Sequence, residues 1–282
     1  MNYRHAFHAG NFADVIKHII LTRILSYMQR KEAGLRVLDT HAGIGLYDLT
    51  SEEAQRSPEW EQGIKALLAA QLDEEVQQVI APYLEIVKNL NEGDKLTRYP
   101  GSPLIAQMML RPQDRLSAIE LHPQDIQRLE HNLAGDRKTK VTHLDGWQAL
   151  VAHVPPKEKR GVILVDPPFE KAGEFGRLAD GVKKAHRRFS GGVYALWYPI
   201  KDNEAKEHFL LQLRESGIGK ILRIEFFIDK PSSPPKLHGT GMIVVNPPYV
   251  LHDEMKKALP ALLPILAPSG RGRVRVEWLR ED

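Results

Sequence analysis

A chain of 282 residues with 42% hydrophobic and 27% charged residues has the composition of a folded protein, long enough for one large α/β domain or one domain carrying an insertion. The absence of cysteine excludes disulfides, thiolate zinc sites and cysteine nucleophiles. Net charge is only +3, so the total does not mark a nucleic-acid binder. Cations do cluster at "PPKEKRG" (155–161), "RLADGVKKAHRRF" (177–189) and "RGRVRVEWLR" (271–280), where they could either neutralise phosphates or solvate a helix face. No leader-type apolar core and no run of about 20 apolar residues is present, so a cytoplasmic protein without a membrane span is expected.

In chain order, a helix is predicted after Asn11, with Asn11 as N-cap and Asp14 at the third position. Phe12, Val15, Ile16, Ile19 and Ile20 would face inward, leaving Lys17 and His18 on a solvated polar edge. "LRVLDTHAG" (35–43) reads as the first strand. Gly43 and Gly45 permit a tight turn after it, but the spacing is not that of a dinucleotide or P-loop motif. Residues 50–98 contain helical segments and no strand, a helical insertion that leaves 1–49 and 99–282 as the main domain. The helix belonging to the first strand then starts at "GSPLIAQMML", with Ser102 as N-cap and Pro103 at the first helical position. Further strands are predicted at 115–122, 140–146, from 161, at 191–199 and 220–229, then at "GMIVVNPP" and "GRVRVEWL". Helices at 123–133, 174–189 and 203–216 alternate with them. Such alternation predicts an α/β, doubly wound, mostly parallel sheet.

In an open α/β sheet, ligands bind beyond the C-terminal ends of strands, near the point where strand order reverses. The first four strands end in Asp39, Glu120, Asp145 and the "DPPF" of Asp166–Phe169. Glu120 suits ribose hydroxyls and Asp145 an adenine amino group. One carboxylate at a strand end is commonplace; four in order are not. A second such motif, "NPPY" (246–249), follows a late strand, where paired prolines more simply stop a strand that lacks amide donors. "DPPF" is therefore the expected active motif.

This ordered set resembles the class I S-adenosylmethionine-dependent methyltransferases, with "DTHAGIG" matching the glycine-bearing cofactor motif and "DPPF" the (D/N/S)PP(Y/F/W) motif of enzymes that methylate exocyclic amines. More closely, "YRHAFHAGNFADVIKH", "YPGSP", "IELHP", "DGW", "LVDPPFE" and "YALWYPI" resemble the RlmJ family of 23S ribosomal RNA adenine N6-methyltransferases over nearly the whole chain. The resemblance implies a Rossmann-like fold, S-adenosyl-L-methionine as cofactor, 23S ribosomal RNA as partner, no metal, and a monomer. It implies catalytic roles for Asp166, Pro167 and Phe169, with Phe169 keeping the ring but not the hydroxyl of the commoner Tyr. Lys17, His18, His41, Gly43, Ser102, Glu120, Asp145, Gly146 and Asp166 become cofactor-pocket candidates, and Tyr3, Arg4 and His5 a lid near the substrate base. "DPPF" positions an amine without naming its ring. A DNA adenine or cytosine amino-methyltransferase therefore stays open, as does a non-catalytic RNA-binding relative. The intact set Asp39, Glu120, Asp145 and Asp166 speaks against the last of these.

Overall fold

The computed structural model describes residues 5–93, 95–201 and 203–282. The first helix, α1 (Phe12–Met28), starts where the Asn11 side chain accepts the amides of Ala13 and Asp14, at 2.9 and 3.0 Å. Asp14 reaches back to the Gly10 amide at 2.9 Å, so donor and acceptor are exchanged across the helix start. The polar edge of α1 is not solvated: Asp14, Lys17, His18 and Thr22 are all buried. The strand β1 (Arg36–Asp39) follows, then a short β2 (Leu46–Asp48).

What buries the α1 edge is the inserted segment, with α2 (Glu52–Arg56), α3 (Ala66–Ala69) and α4 (Glu74–Asn89). Ile80 and Tyr83 of α4 belong to the same apolar core as α1 and pack on it. Gly63 sits against the entry to α1, where a Cβ would lie 2.0 Å from the Gly10 carbonyl oxygen. The chain returns through β3 (Arg98–Pro100), paired antiparallel with β2 in a ribbon that the sequence pattern did not disclose. Three-residue strands are too short to show a period.

The rest alternates as predicted: α5 (Ser102–Met109), β4 (Arg115–Glu120), α6 (Pro123–Asn132), β5 (Thr139–His143), α7 (Gly146–Ala152), β6 (Gly161–Val165), α8 (Glu174–Arg188), β7 (Val193–Ile200), α9 (Asn203–Arg214), β8 (Ile221–Phe227), β9 (Gly239–Val245), α10 (Leu251–Leu266) and β10 (Arg273–Arg280). Eight strands form one sheet in the order β10-β8-β9-β7-β6-β1-β4-β5. Neighbours among β5, β4, β1, β6 and β7 run parallel, whereas β9 runs against both β7 and β8. Winding goes outward from β1 to β5 and then restarts at β6, so the switch lies between β1 and β6.

That reversal of β9 decides between the two proline motifs. Val245 at the end of β9 pairs with Tyr194 at the start of β7, so "NPPY" emerges at the end of the sheet opposite the crevice. Asn246, at φ +52°, donates to the Ser190 and Gly192 carbonyls at 2.7 Å and closes the loop into β7. Its work is structural.

Candidate active site

A cavity of about 270 Å³ opens beyond the C-terminal ends of β1, β4 and β6, lined by the predicted Lys17, His18, His41, Gly43, Ser102, Glu120, Asp145, Gly146, Asp166 and Pro167. His5 also lines it; Tyr3 and Arg4 lie outside the described residues. Phe169 does not line it: at φ +51° its ring turns onto Phe175 and Trp197, with centroids 4.8 and 5.9 Å away. Trp197 does line the cavity, with Tyr47 and Trp147, and is held by an Nε1 hydrogen bond to Thr240 at 2.8 Å. A tryptophan in mid-strand reads as core, so sequence reasoning gave it no role.

Lys17 is 4% exposed and bridges two carboxylates, Asp14 at 2.8 Å and Asp166 at 2.6 Å. Burial alone would lower its pKa, but the two carboxylates outweigh it and hold the ammonium well above the usual range. Burial likewise favours a neutral Asp14; His5, bonded to it at 2.8 Å, and Lys17 overcome that and hold it ionised. The chain His5–Asp14–Lys17–Asp166 thus fixes one oxygen of Asp166 and leaves Oδ1 without a partner among the described residues.

His18 sits deeper. Burial pushes its pKa down to about 3, so the ring is neutral. Its Nδ1 meets the Tyr99 hydroxyl at 2.8 Å, which meets the Tyr83 hydroxyl at 2.9 Å. The arrangement that uses both hydroxyl hydrogens has Tyr83 donating to Tyr99 and Tyr99 donating to Nδ1. The proton of His18 then rides on Nε2, which is buried and unpartnered. His41 takes the opposite tautomer. Thr40 spends its hydroxyl hydrogen on the Leu164 carbonyl at 3.0 Å, so His41 Nδ1 must donate to Thr40 at 2.8 Å and Nε2 carries a lone pair. Of these two rings, His18 offers the cavity a donor and His41 an acceptor.

Asp39 is fully buried, and burial pushes it up to about 7 against the opposing bond from Ser102, at 2.6 Å. That bond revises the reading of Ser102. The N-cap of α5 is Gly101, and Ser102 is the first helical residue, tying the helix to β1. Glu120 accepts three amides, from Gly43 at 2.8 Å, Leu121 at 2.8 Å and His122 at 2.7 Å. Of about four lone-pair sites on a carboxylate, one remains for a ligand, so Glu120 cannot hold two ribose hydroxyls in its plane. Asp145 caps α7 through one oxygen, at 2.7 Å from the Trp147 amide. At Gly146 a Cβ would lie 2.2 Å from the Thr40 carbonyl and 2.8 Å from His41 Nε2, so only glycine keeps this wall of the cavity open. Glu59 of the insertion, bonded to His8 and Asn11, completes the rim and had no signal in the sequence. Arg177 lines the cavity over Trp147, 5.0 Å from the ring; Lys183, Lys184, Arg187 and Arg188 do not line it.

A sheet of this order with reversed β9 inserted between β7 and β8, acidic residues at the ends of β1 and β4 and after β5, and a proline motif after β6 defines a class I S-adenosylmethionine-dependent methyltransferase. Comparisons give the family. A family model described as "Ribosomal RNA large subunit methyltransferase D, RlmJ" matches residues 32–280. Ribosomal RNA large subunit methyltransferase J of Haemophilus influenzae is 40% identical over 283 residues, covering 100% of both chains. Its Escherichia coli counterpart is 39% identical over 279 residues and 99% of each chain. A crystal structure of a Legionella pneumophila protein, 37% identical, superposes with a TM-score of 0.88 over 96% of this chain and 98% of that one. The chain belongs to the RlmJ family of ribosomal RNA large subunit methyltransferases.

Proposed function

We propose that this protein transfers a methyl group from S-adenosyl-L-methionine to the N6 amino group of an adenine in 23S ribosomal RNA, acting as a cytoplasmic monomer. Residues 1–49 and 99–282 would form the catalytic domain and 50–98 an insertion subdomain. The observation that carries this reading is Asp166: one carboxylate oxygen held by Lys17, the other open to the cavity, next to a Pro167 carbonyl that accepts no described hydrogen bond. Every group the reaction asks for comes from one chain, which supports a monomer.

The cavity fits the cofactor by its own unmet needs. Buried His18 Nε2–H lacks an acceptor, which a carboxylate end would supply, and Gly146 leaves a slot that a side chain would fill. Glu120, through its remaining lone pair, and Asp145, through its second oxygen, would take the ribose and adenine ends. S-adenosylmethionine supplies, when bound, an electrophilic methyl group. The amine it meets is a poor nucleophile, because its lone pair is delocalised into the base. Asp166 Oδ1 and the Pro167 carbonyl would accept the two amino hydrogens, favouring a pyramidal nitrogen with its lone pair aimed at the methyl. Lys17 keeps that carboxylate from turning away. Trp197 offers the base a ring face, a contact worth about 1 to 3 kcal/mol in nucleic-acid sites, with Phe169 packed behind it. The target base must leave its stack to enter.

The test is to incubate the protein and cofactor with 23S ribosomal RNA from cells lacking this gene, then map methyl groups by mass. One N6-methyladenosine is expected, with no product on adenine- or cytosine-containing DNA. Methylcytosine, or product on DNA alone, would overturn the reading.

A further inference from the structure

The catalytic cavity is a poor place for RNA phosphates. Eight Asp and Glu line it against four Lys and Arg. Cations gather at the opposite end of the sheet. Five segments lead into the N-terminal ends of the parallel strands β1, β4, β5, β6 and β7: residues 29–36, 110–115, 133–140, 153–160 and 187–192. Register places them side by side, with Arg36 level with Arg115 and Gly161, Leu116 with Thr139, and Val162 with Val193. Together they carry thirteen Lys and Arg against four Asp and Glu, a net charge of +9, although the whole chain carries +3. The rest of the molecule is therefore net acidic.

The four acids are Glu32, Asp114, Asp136 and Glu158. Three of them pair locally, Asp114 with Arg111, Asp136 with Lys138 and Glu158 with Arg36. Exposed Arg137, Lys140, Lys157 and Lys159 have no carboxylate partner among the described residues. At the same end of the sheet Tyr249, the tyrosine of "NPPY", is 73% exposed and stands edge-on to Tyr27, 5.5 Å away, while the Arg30 guanidinium lies over Tyr27 at 5.0 Å. Open aromatic faces among cations match nucleic acid better than an acidic protein surface, which has no bases to stack.

We propose that this basic end is a second RNA-docking surface, which holds a segment of ribosomal RNA outside the one entering the catalytic cavity. It rests on the RNA-methylating function proposed above. The eight residues of β7 span about 26 Å, comparable to the width of one RNA helix, so a folded RNA can touch both ends where a short stem cannot. Phosphate contacts would then supply affinity and register at one end while the acidic cavity handles the base at the other.

The test compares wild type with Arg137→Gln/Lys140→Gln/Lys157→Gln/Lys159→Gln on two RNAs: full-length 23S ribosomal RNA and the shortest stem-loop that the wild type methylates. Affinity for the long RNA should fall tenfold or more, with the log-log salt slope shallower by about 0.7 to 0.9 for each phosphate that is no longer neutralised. Turnover on the stem-loop and the melting temperature should stay at wild-type values. Tyr249→Ala should weaken the long RNA alone, without changing the salt slope. Unchanged affinity for the long RNA would overturn the proposal and leave the face to an acidic protein partner. Equal losses on both RNAs would also overturn it, showing a general field instead of docking. If the wild type methylated no RNA at all, the functional reading would fail instead, and the binding comparison on the long RNA would still decide the surface.

Discussion

Lys17 shows how one residue can look bland in sequence and dominate a site in space. Placed on a presumed solvated edge, it is buried between Asp14 and Asp166, 149 residues away from the latter in sequence. Removing its charge strands two carboxylates. We expect Lys17→Met to cost about 3 to 5 kcal/mol in stability and to abolish methyl transfer, with Lys17→Arg recovering stability but little turnover; denaturant titration and methyl incorporation read the two effects. Stability within about 0.5 kcal/mol of wild type would mean that the bridge is not formed. His18 gives a pH signature. Its pKa falls from 6.5 to about 3 on folding, so below 6.5 the unfolded chain binds a proton that the folded chain refuses. Stability from this residue is present above 6.5 and is lost as pH drops toward 3, by about 1.4 kcal/mol per pH unit. Asp39, pushed up to about 7, has the opposite sign: the folded chain keeps a proton the unfolded chain has lost, so its contribution declines as pH rises toward 7. The two oppose each other across pH 4.5 to 6.5, where His41, lowered by burial to about 4, acts in the same direction as His18. His18→Gln should therefore make the pH profile of stability shallower there by about 1.4 kcal/mol per pH unit; an unchanged profile would refute a neutral, buried His18.

At the scale of elements, the inserted helices are not a decoration on the sheet. Through Tyr83, α4 sets the tautomer of His18 on α1 by way of Tyr99 on β3. Tyr83→Phe deletes one hydroxyl, leaves Tyr99 without its donor, and should cost about 1 kcal/mol in stability. It should also weaken S-adenosylmethionine several-fold by freeing the ring to put its proton on Nδ1; calorimetry that found wild-type cofactor affinity would disprove this coupling. Most strands of the main sheet were legible because short apolar runs between amphipathic segments read as strands in an α/β chain. The β2–β3 ribbon and the buried edge of α1 were not. The first is too short to show a period, and the second depends on α4, which lies over fifty residues further along the chain. Within the site, Asp39, Glu120 and Asp166 were legible as acids ending strands. The turned ring of Phe169 and the place of Trp197 on the cavity wall were not, since the first follows a positive φ that no local pattern announces and the second a mid-strand position that reads as core.

For the whole molecule, direction of chain matters more than motif. Two similar proline motifs end β6 and β9, and because β9 is reversed they open at opposite ends of one sheet, Asp166 in the acidic cavity and Asn246 at the basic end. A near-neutral net charge conceals that polarity. The most direct measurement compares Asp166→Ala with Asn246→Ala for methyl transfer to 23S ribosomal RNA, with cofactor affinity measured alongside. We expect Asp166→Ala to make no methyladenosine while binding S-adenosylmethionine within a few-fold of wild type. Asn246→Ala should lose stability as the loop into β7 loosens, yet methylate at near the wild-type rate below its melting temperature. Wild-type methylation by Asp166→Ala, or an inactive but fully folded Asn246→Ala, would contradict the assignment of the reaction to the β6 end.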